Sequence, residues 1–154
     1  MSGLDLVCGG SGFIGSHVVD GLLAAGREVR VLDDLSTGYP SNLEGRDCEV
    51  RHGDAADPET ASAACEGVSR IFHLAARPSV PWSFEEPVLA RHANLGTTES
   101  LIAAAVAKGV KRIVFSSSSA IYGDSPALPK TEEMQPAPMS PYAEHKLAGE
   151  HALA

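Results

Sequence analysis

Near its C-terminal end the 154-residue chain carries Tyr142-Ala143-Glu144-His145-Lys146, a tyrosine and a lysine four positions apart. On a helix such a pair shares one face, close enough to interact. A free phenol titrates near ~10 and is a poor base at neutral pH. A cation a few ångströms away favours the phenolate. Bringing the phenol to pH 7 takes about 4 kcal/mol, close to the Coulomb energy of one unit pair at ~4 Å and an effective dielectric of ~20. One lysine and a positively charged cofactor can together supply that much. Tyr142 is therefore a candidate proton acceptor with Lys146 as its partner, although an ordinary amphipathic helix has the same spacing. What precedes the pair decides between the two readings.

Leu4 to Cys8 is a short apolar run, followed by Gly9-Gly10-Ser11-Gly12-Phe13-Ile14-Gly15. Val18, Val19, Leu22 and Leu23 then mark one face of a helix that Gly26 closes. A second apolar run, Val29 to Leu32, ends in Asp33-Asp34. Glycines between a strand and a helix permit a tight turn, close backbone approach to a pyrophosphate and close helix–strand packing. The pyrophosphate itself rests on the helix N-terminus. Asp33 follows Gly15 at close to the ~20-residue interval expected of a carboxylate that takes a ribose 2′-hydroxyl. The bland reading is a glycine-rich turn with a surface aspartate, but strand, glycines, helix, strand and acid in this order favour dinucleotide binding. The carboxylate repels a 2′-phosphate and no arginine follows it directly, so NAD is expected over NADP.

Later elements extend the same pattern. Cys48 to Arg51 reads as a third strand, Pro58 to Cys65 as a short helix ending near Gly67, and Arg70 to Ala76 as a fourth strand. His73 reads as a packed or hydrogen-bonded core histidine. Pro78, Pro81 and Pro87 break the chain before a long helical pattern from about Val88 to Lys108, stopped by Gly109. Asn94, unusual inside that helix, is read as holding a structural water or as solvated. Lys111 to Phe115 forms a fifth strand and delivers Ser116 to Ser119 at its C-terminal end, where open α/β sheets bind ligands. The proline-rich loop from Gly123 to Pro141 is expected to be extended and to lie over the site. Ser140-Pro141 opens the last helix as N-cap and first residue. Strands alternating with helices predict an α/β fold, a doubly wound parallel sheet of order 3-2-1-4-5.

Composition sets the outer bounds. The length suits one domain with a real core. A hydrophobic content of 44% and a charged content of 21% are ordinary for a globular protein. The net charge of −8 argues against nucleic acid or an anionic membrane as a general partner. Three cysteines with no C-x-x-C indicate neither a disulfide framework nor a zinc site, so no metal is expected. With no apolar run near ~18 residues and no signal-peptide profile, the expected location is the cytoplasm.

With GGSGFIGSH, VLDDLSTG, HGDAAD, FHLAA, NLGT, FSSSSAIYGD and SPYAEHK in this order, the chain resembles the N-terminal part of the extended short-chain dehydrogenase/reductases. It is most similar to the nucleotide-sugar 4-epimerases of the UDP-glucose/UDP-galactose type. The resemblance implies a Rossmann-like NAD-binding domain over residues 1–154, with the substrate domain absent from this chain. It implies that Gly9, Gly12, Phe13, Ile14 and Gly15 line the pyrophosphate. Asp33 would take the adenosine ribose, with Asp34, Ser36 and Thr37 nearby. Asp54 and Ala55 would sit by the adenine, with Leu74, Ala75, Ala76, Arg77 and Asn94 along the cofactor. Tyr142 would be the base, Lys146 its partner and a ribose ligand, and Ser118 the hydroxyl donor to the sugar oxygen. The reaction so implied is epimerisation at hexose C4 of a UDP-sugar through a transient 4-ketose, in a homodimer joined through the helices at about 88–108 and 140–154.

Ser119-Ala120 stands where the 4,6-dehydratases of this group carry Asp-Glu, and dehydration needs that acid and base. Two departures from the family pattern are Cys8 for the usual threonine and Pro78 for a lysine that touches the cofactor in some epimerases. Family members run to about twice this length. The alternatives kept beside epimerisation are a net NAD-dependent dehydrogenase or reductase on a related sugar, and a non-catalytic NAD-binding module.

Overall fold

A computed structural model describes residues 3–154. The chain runs β1 (Leu4–Cys8), α1 (Phe13–Ala24), β2 (Glu28–Asp33), β3 (Glu49–His52), α2 (Pro58–Ala64), β4 (Val68–His73), α3 (Val80–Glu85), α4 (Pro87–Arg91), α5 (Thr97–Lys108), β5 (Arg112–Phe115) and α6 (Pro141–Leu153). Short 3-10 turns occupy Pro40–Leu43 and Ser119–Tyr122. The five strands form one parallel sheet in the order β3-β2-β1-β4-β5, as the alternation of elements predicts.

Strand residues alternate between two cores, and that alternation makes the sheet doubly wound. Leu6, Cys8, Leu32 and Ile71 point to one side, where Ala61 and Ala64 of α2 and Leu101, Ala104 and Ala105 of α5 cover them. Val7, Val29 and Val31 point to the other, under Val19 of α1. β1, central and covered on both faces, is the most completely buried strand. With both faces closed, ligands are left the rim at the C-terminal strand ends.

Three expectations need correction. The fourth strand ends at His73; Leu74 to Ala76 leave the sheet after Leu74 N–H bonds to Cys8 O at 2.8 Å. The Pro78–Pro87 stretch does not merely break the chain. Ser79 accepts a hydrogen bond from Trp82 N–H and starts α3, and Pro87 starts α4. Prolines in a first helical turn lack only an amide that would have no helical partner there. The loop after Gly123 is not simply extended but turns back on the second 3-10 turn, with Ala137 N–H bonded to Ile121 O at 2.8 Å.

The helical pattern of 88–108 is interrupted by a π-turn over His92–Gly96 between α4 and α5. Asn94 lies inside it, only 4% exposed, so it is not solvated. Its Oδ1 accepts the Arg77 backbone N–H at 2.8 Å. Thr97 and Thr98 return their hydroxyls to the carbonyls of Ala93 and Asn94 four residues back, a bonding that bends helices. His73 is a core histidine as expected: it is 1% exposed, its Nε2 lies 2.9 Å from Thr98 Oγ1, and burial pulls its pKa down to about 3.

Candidate functional site

The chain turns at Gly9 with φ +83°, a conformation that side chains disfavour. A β-carbon on Gly9 would stand 2.7 Å from Ala75 N, and one on Gly15 only 2.0 Å from Gly9 O. The turn is therefore packed between the exit of β4 and the start of α1 so tightly that only glycine fits. No side chain caps α1 and no acid lies in its first turn, whereas Asp57, Ser79 and Ser140 cap α2, α3 and α6. The amides of Phe13, Ile14 and Gly15 fall in that uncapped turn, where an anion is the natural partner.

These residues line a cavity of about 330 Å³ at the C-terminal ends of β1, β2 and β4. Gly9, Gly12, Phe13, Ile14 and Gly15 form one wall. Asp33, Asp34, Ser36 and Thr37 form a second, with Ala55 beside them, and Leu74 to Arg77 form a third. Asp33 is 9% exposed; its two oxygens accept the amides of Ser11 at 2.8 Å and Leu35 at 2.9 Å. A carboxylate has about four acceptor positions, so two remain for a ligand.

The other singled-out residues stand just outside the cavity lining. Asp54 engages Ala56 N–H through Oδ1 and His92 Nε2 through Oδ2, both at 2.8 Å. Asn94 supports the third wall from behind through Arg77. Ser118 Oγ accepts from Ala120 N–H at 3.2 Å and starts the 3-10 turn. Ser140 caps α6 as read from the sequence, which buries Tyr142 and Lys146 in the first two turns. Among the described residues no hydrogen bond joins Tyr142 to Lys146. The Lys146 ammonium instead donates to Ser116 O at 2.8 Å and lies 4.7 Å from the Phe115 ring centroid. Burial pulls its pKa down to about 8.

The sequence reading left Ser116 without a role of its own, yet it lines the cavity and its carbonyl ties Lys146 to it. Thr97 and Ala93 also line the cavity. Their signal was weak, because a backbone carbonyl or a helix face turned inward by a π-turn carries no residue-type signature.

A doubly wound parallel sheet, a glycine turn opening an uncapped helix and an acid closing the second strand define a dinucleotide-binding domain of the Rossmann type. Residues 6–154 match the NAD dependent epimerase/dehydratase family, and the chain belongs to it. The UDP-glucose 4-epimerase of Mycolicibacterium smegmatis is 42% identical over 94% of this chain and 48% of its own. That of Lacticaseibacillus casei is 40% identical over 96% of this chain and 45% of its own. Among solved structures, the Thermus thermophilus UDP-glucose 4-epimerase in complex with NAD superposes with a TM-score of 0.91 at 42% identity, covering 97% of this chain and 49% of that one. The UDP-N-acetylglucosamine 4-epimerase of Methanobrevibacter ruminantium, in complex with UDP-N-acetylmuramic acid, also gives 0.91, at 35% identity over 99% of this chain and 49% of that one. The chain spans about half the length of the curated relatives it matches.

Proposed function

We propose that residues 1–154 form the NAD-binding domain of a nucleotide-sugar 4-epimerase acting at hexose C4 of UDP-glucose or UDP-galactose. One observation carries the reading: the carbonyl that holds the Lys146 ammonium belongs to Ser116, which lines the same cavity as the glycine turn and Asp33. That bond supports a role for the Tyr-x-x-x-Lys helix at the dinucleotide cavity. The residues fit the cofactor, since the uncapped amides of α1 suit a diphosphate and Asp33 keeps acceptor positions for ribose hydroxyls.

Bound NAD would supply the acceptor and donor of hydride. Gly9, Gly12, Phe13, Ile14 and Gly15 hold the diphosphate, and Asp33, Asp34, Ser36 and Thr37 the adenosine ribose. Asp54 and Ala55 flank the adenine. Leu74 to Arg77 follow the cofactor, backed by Asn94. Tyr142 takes the proton of the sugar 4-hydroxyl and later returns it. Lys146 stabilises the phenolate, and Ser118 donates to the sugar oxygen. The sugar and uridine contacts this requires belong to a substrate domain outside these residues. Two copies associate through the helices at about 88–108 and 140–154; Val88 and Leu89 are 79% and 54% exposed on α4, which packs against α6. The protein acts in the cytoplasm; no helix among the described residues is long and apolar enough to cross a membrane.

The test uses the 154-residue chain and a longer polypeptide that also carries the substrate domain. The short chain binds NAD but leaves UDP-galactose unchanged; turnover near ~10 s⁻¹ would overturn the domain assignment. The long one interconverts UDP-glucose and UDP-galactose with no net absorbance at 340 nm. There Tyr142→Phe abolishes turnover while NAD still binds, and Ser118→Ala slows it about 10²-fold. Accumulating NADH, or near-normal turnover by the Phe variant, would overturn the proposed reaction.

A further inference from the structure

Among the described residues Arg77 is the one lysine or arginine that lines the cavity, where the ionised side chains beside it are Asp33 and Asp34. Arg27, Arg30, Arg46, Arg51, Arg70 and Arg91 each sit in an ion pair, and Arg112 stands exposed on β5 without one among the described residues. Half-buried Arg77 has none among the described residues, and its guanidinium carbon stands 4.5 Å from the centroid of the Trp82 ring.

Its backbone is pinned on both sides. The N–H goes to Asn94 Oδ1 at 2.8 Å, and the C=O accepts from Ser79 N–H at 2.9 Å. Ser79 also starts α3 and so places Trp82. A guanidinium held on an indole face with its donors unused is prepared for a ligand rather than for the fold. The β4 exit at Ala75 packs on Gly9, and Arg77 lies two residues further, about 7 Å of extended chain. Arg77 thus lines the same cavity as the uncapped first turn of α1.

Resting on the dinucleotide reading above, we propose that Arg77, steadied by Trp82, is a second anion-recognising element of the cavity and pairs with the diphosphate of a bound nucleotide. The α1 amides grip the diphosphate from one wall and the guanidinium from the other. The planar fork can take two phosphoryl oxygens through parallel, fixed donors, a geometry that an ammonium does not offer. The diphosphate it meets is the cofactor's, because the α1 amides that converge with it face the same cavity as Asp33.

Calorimetric titration of the 154-residue chain tests this with NAD, ADP-ribose, UDP and adenosine as probes. Arg77→Gln weakens NAD and ADP-ribose about 10-fold, leaves adenosine unchanged and flattens the salt dependence of NAD binding. Arg77→Lys recovers the salt dependence but only part of the affinity. Trp82→Leu weakens NAD a few-fold by freeing the guanidinium. Unchanged binding of NAD and ADP-ribose by Arg77→Gln would overturn the proposal, as would an equal loss of adenosine or a loss confined to UDP. A wild-type chain that binds neither NAD nor ADP-ribose would overturn the dinucleotide reading and this proposal with it.

Discussion

The two ends of the same sheet each hold a buried aspartate, and they treat it in opposite ways. At the N-terminal end, Asp5 of β1 is fully buried and accepts from two arginines. Arg27 donates through Nε and Nη2, both at 2.8 Å, and Arg70 through Nε at 2.9 Å and Nη2 at 2.5 Å. Burial opposes ionisation of this carboxyl, but the arginine bonds outweigh it and hold its pKa down at about 2. Every acceptor position is taken. At the C-terminal end, Asp33 of β2 has no cation bonded to it among the described residues, only two backbone amides. A saturated carboxylate can only hold the fold together. An unsaturated one beside a cavity can also meet a ligand, and the difference lies in the partners rather than in burial.

The sharpest way to break this contrast is to remove Asp5. Asp5→Ala leaves two half-exposed guanidinium groups without their acceptor at the sheet end, and a loss of about 3–5 kcal/mol is expected in urea denaturation. NAD affinity of the folded fraction should not change. A stable variant, or one that folds but no longer binds NAD, would mean that the N-terminal end is not purely structural.

Acid separates the two ends along a different axis. His73 ends β4 beside the cavity, and burial, assisted by the Lys146 charge, depresses its pKa from 6.5 to about 3. The unfolded chain binds a proton that the folded one refuses, so the contribution of His73 to stability is full above pH 6.5 and falls as pH drops towards 3. Asp5 adds its own loss only below its unfolded value of 3.8, down to about 2. Stability should therefore decline in two stages, the first at the rim. His73→Gln should flatten the first stage to what the burial-depressed pKa of His145 contributes and keep the second; an unchanged slope between about pH 6.5 and 4 would assign that stage elsewhere.

The smallest effect on folding is expected at Asp33. Asp33→Ala leaves the buried Ser11 amide and the part-buried Leu35 amide without their acceptor, at a cost of about 1–3 kcal/mol. NAD affinity should fall about 10- to 100-fold, and the preference over NADP should narrow. A stability loss as large as that of Asp5→Ala, with NAD binding intact, would make the two aspartates alike.

Local pattern carried most of the framework. Alternating strands and amphipathic helices, the glycine turn, the acid after β2 and the Ser140-Pro141 start of α6 were legible because each depends on neighbours a few residues away. Misreadings came where one residue type serves two local states. Prolines that looked like breakers start α3 and α4, and the small residues after His73 looked like strand.

By itself, then, the sequence determined the order of elements, the sheet topology and the rim where a ligand must bind. The residue types at that rim also follow from it, since turn, cap and periodicity are short-range properties of the chain. Only the tertiary structure decided which groups are already occupied. Lys146 meets Ser116 O across 30 positions, Arg77 meets Asn94 across 17, and Asp5 meets Arg70 across 65. No periodicity spans such separations. Hydrogen-bond saturation and the depressed Lys146 pKa arise from desolvation and from partners that meet only when the layers pack, so the role of each charged group was settled by packing.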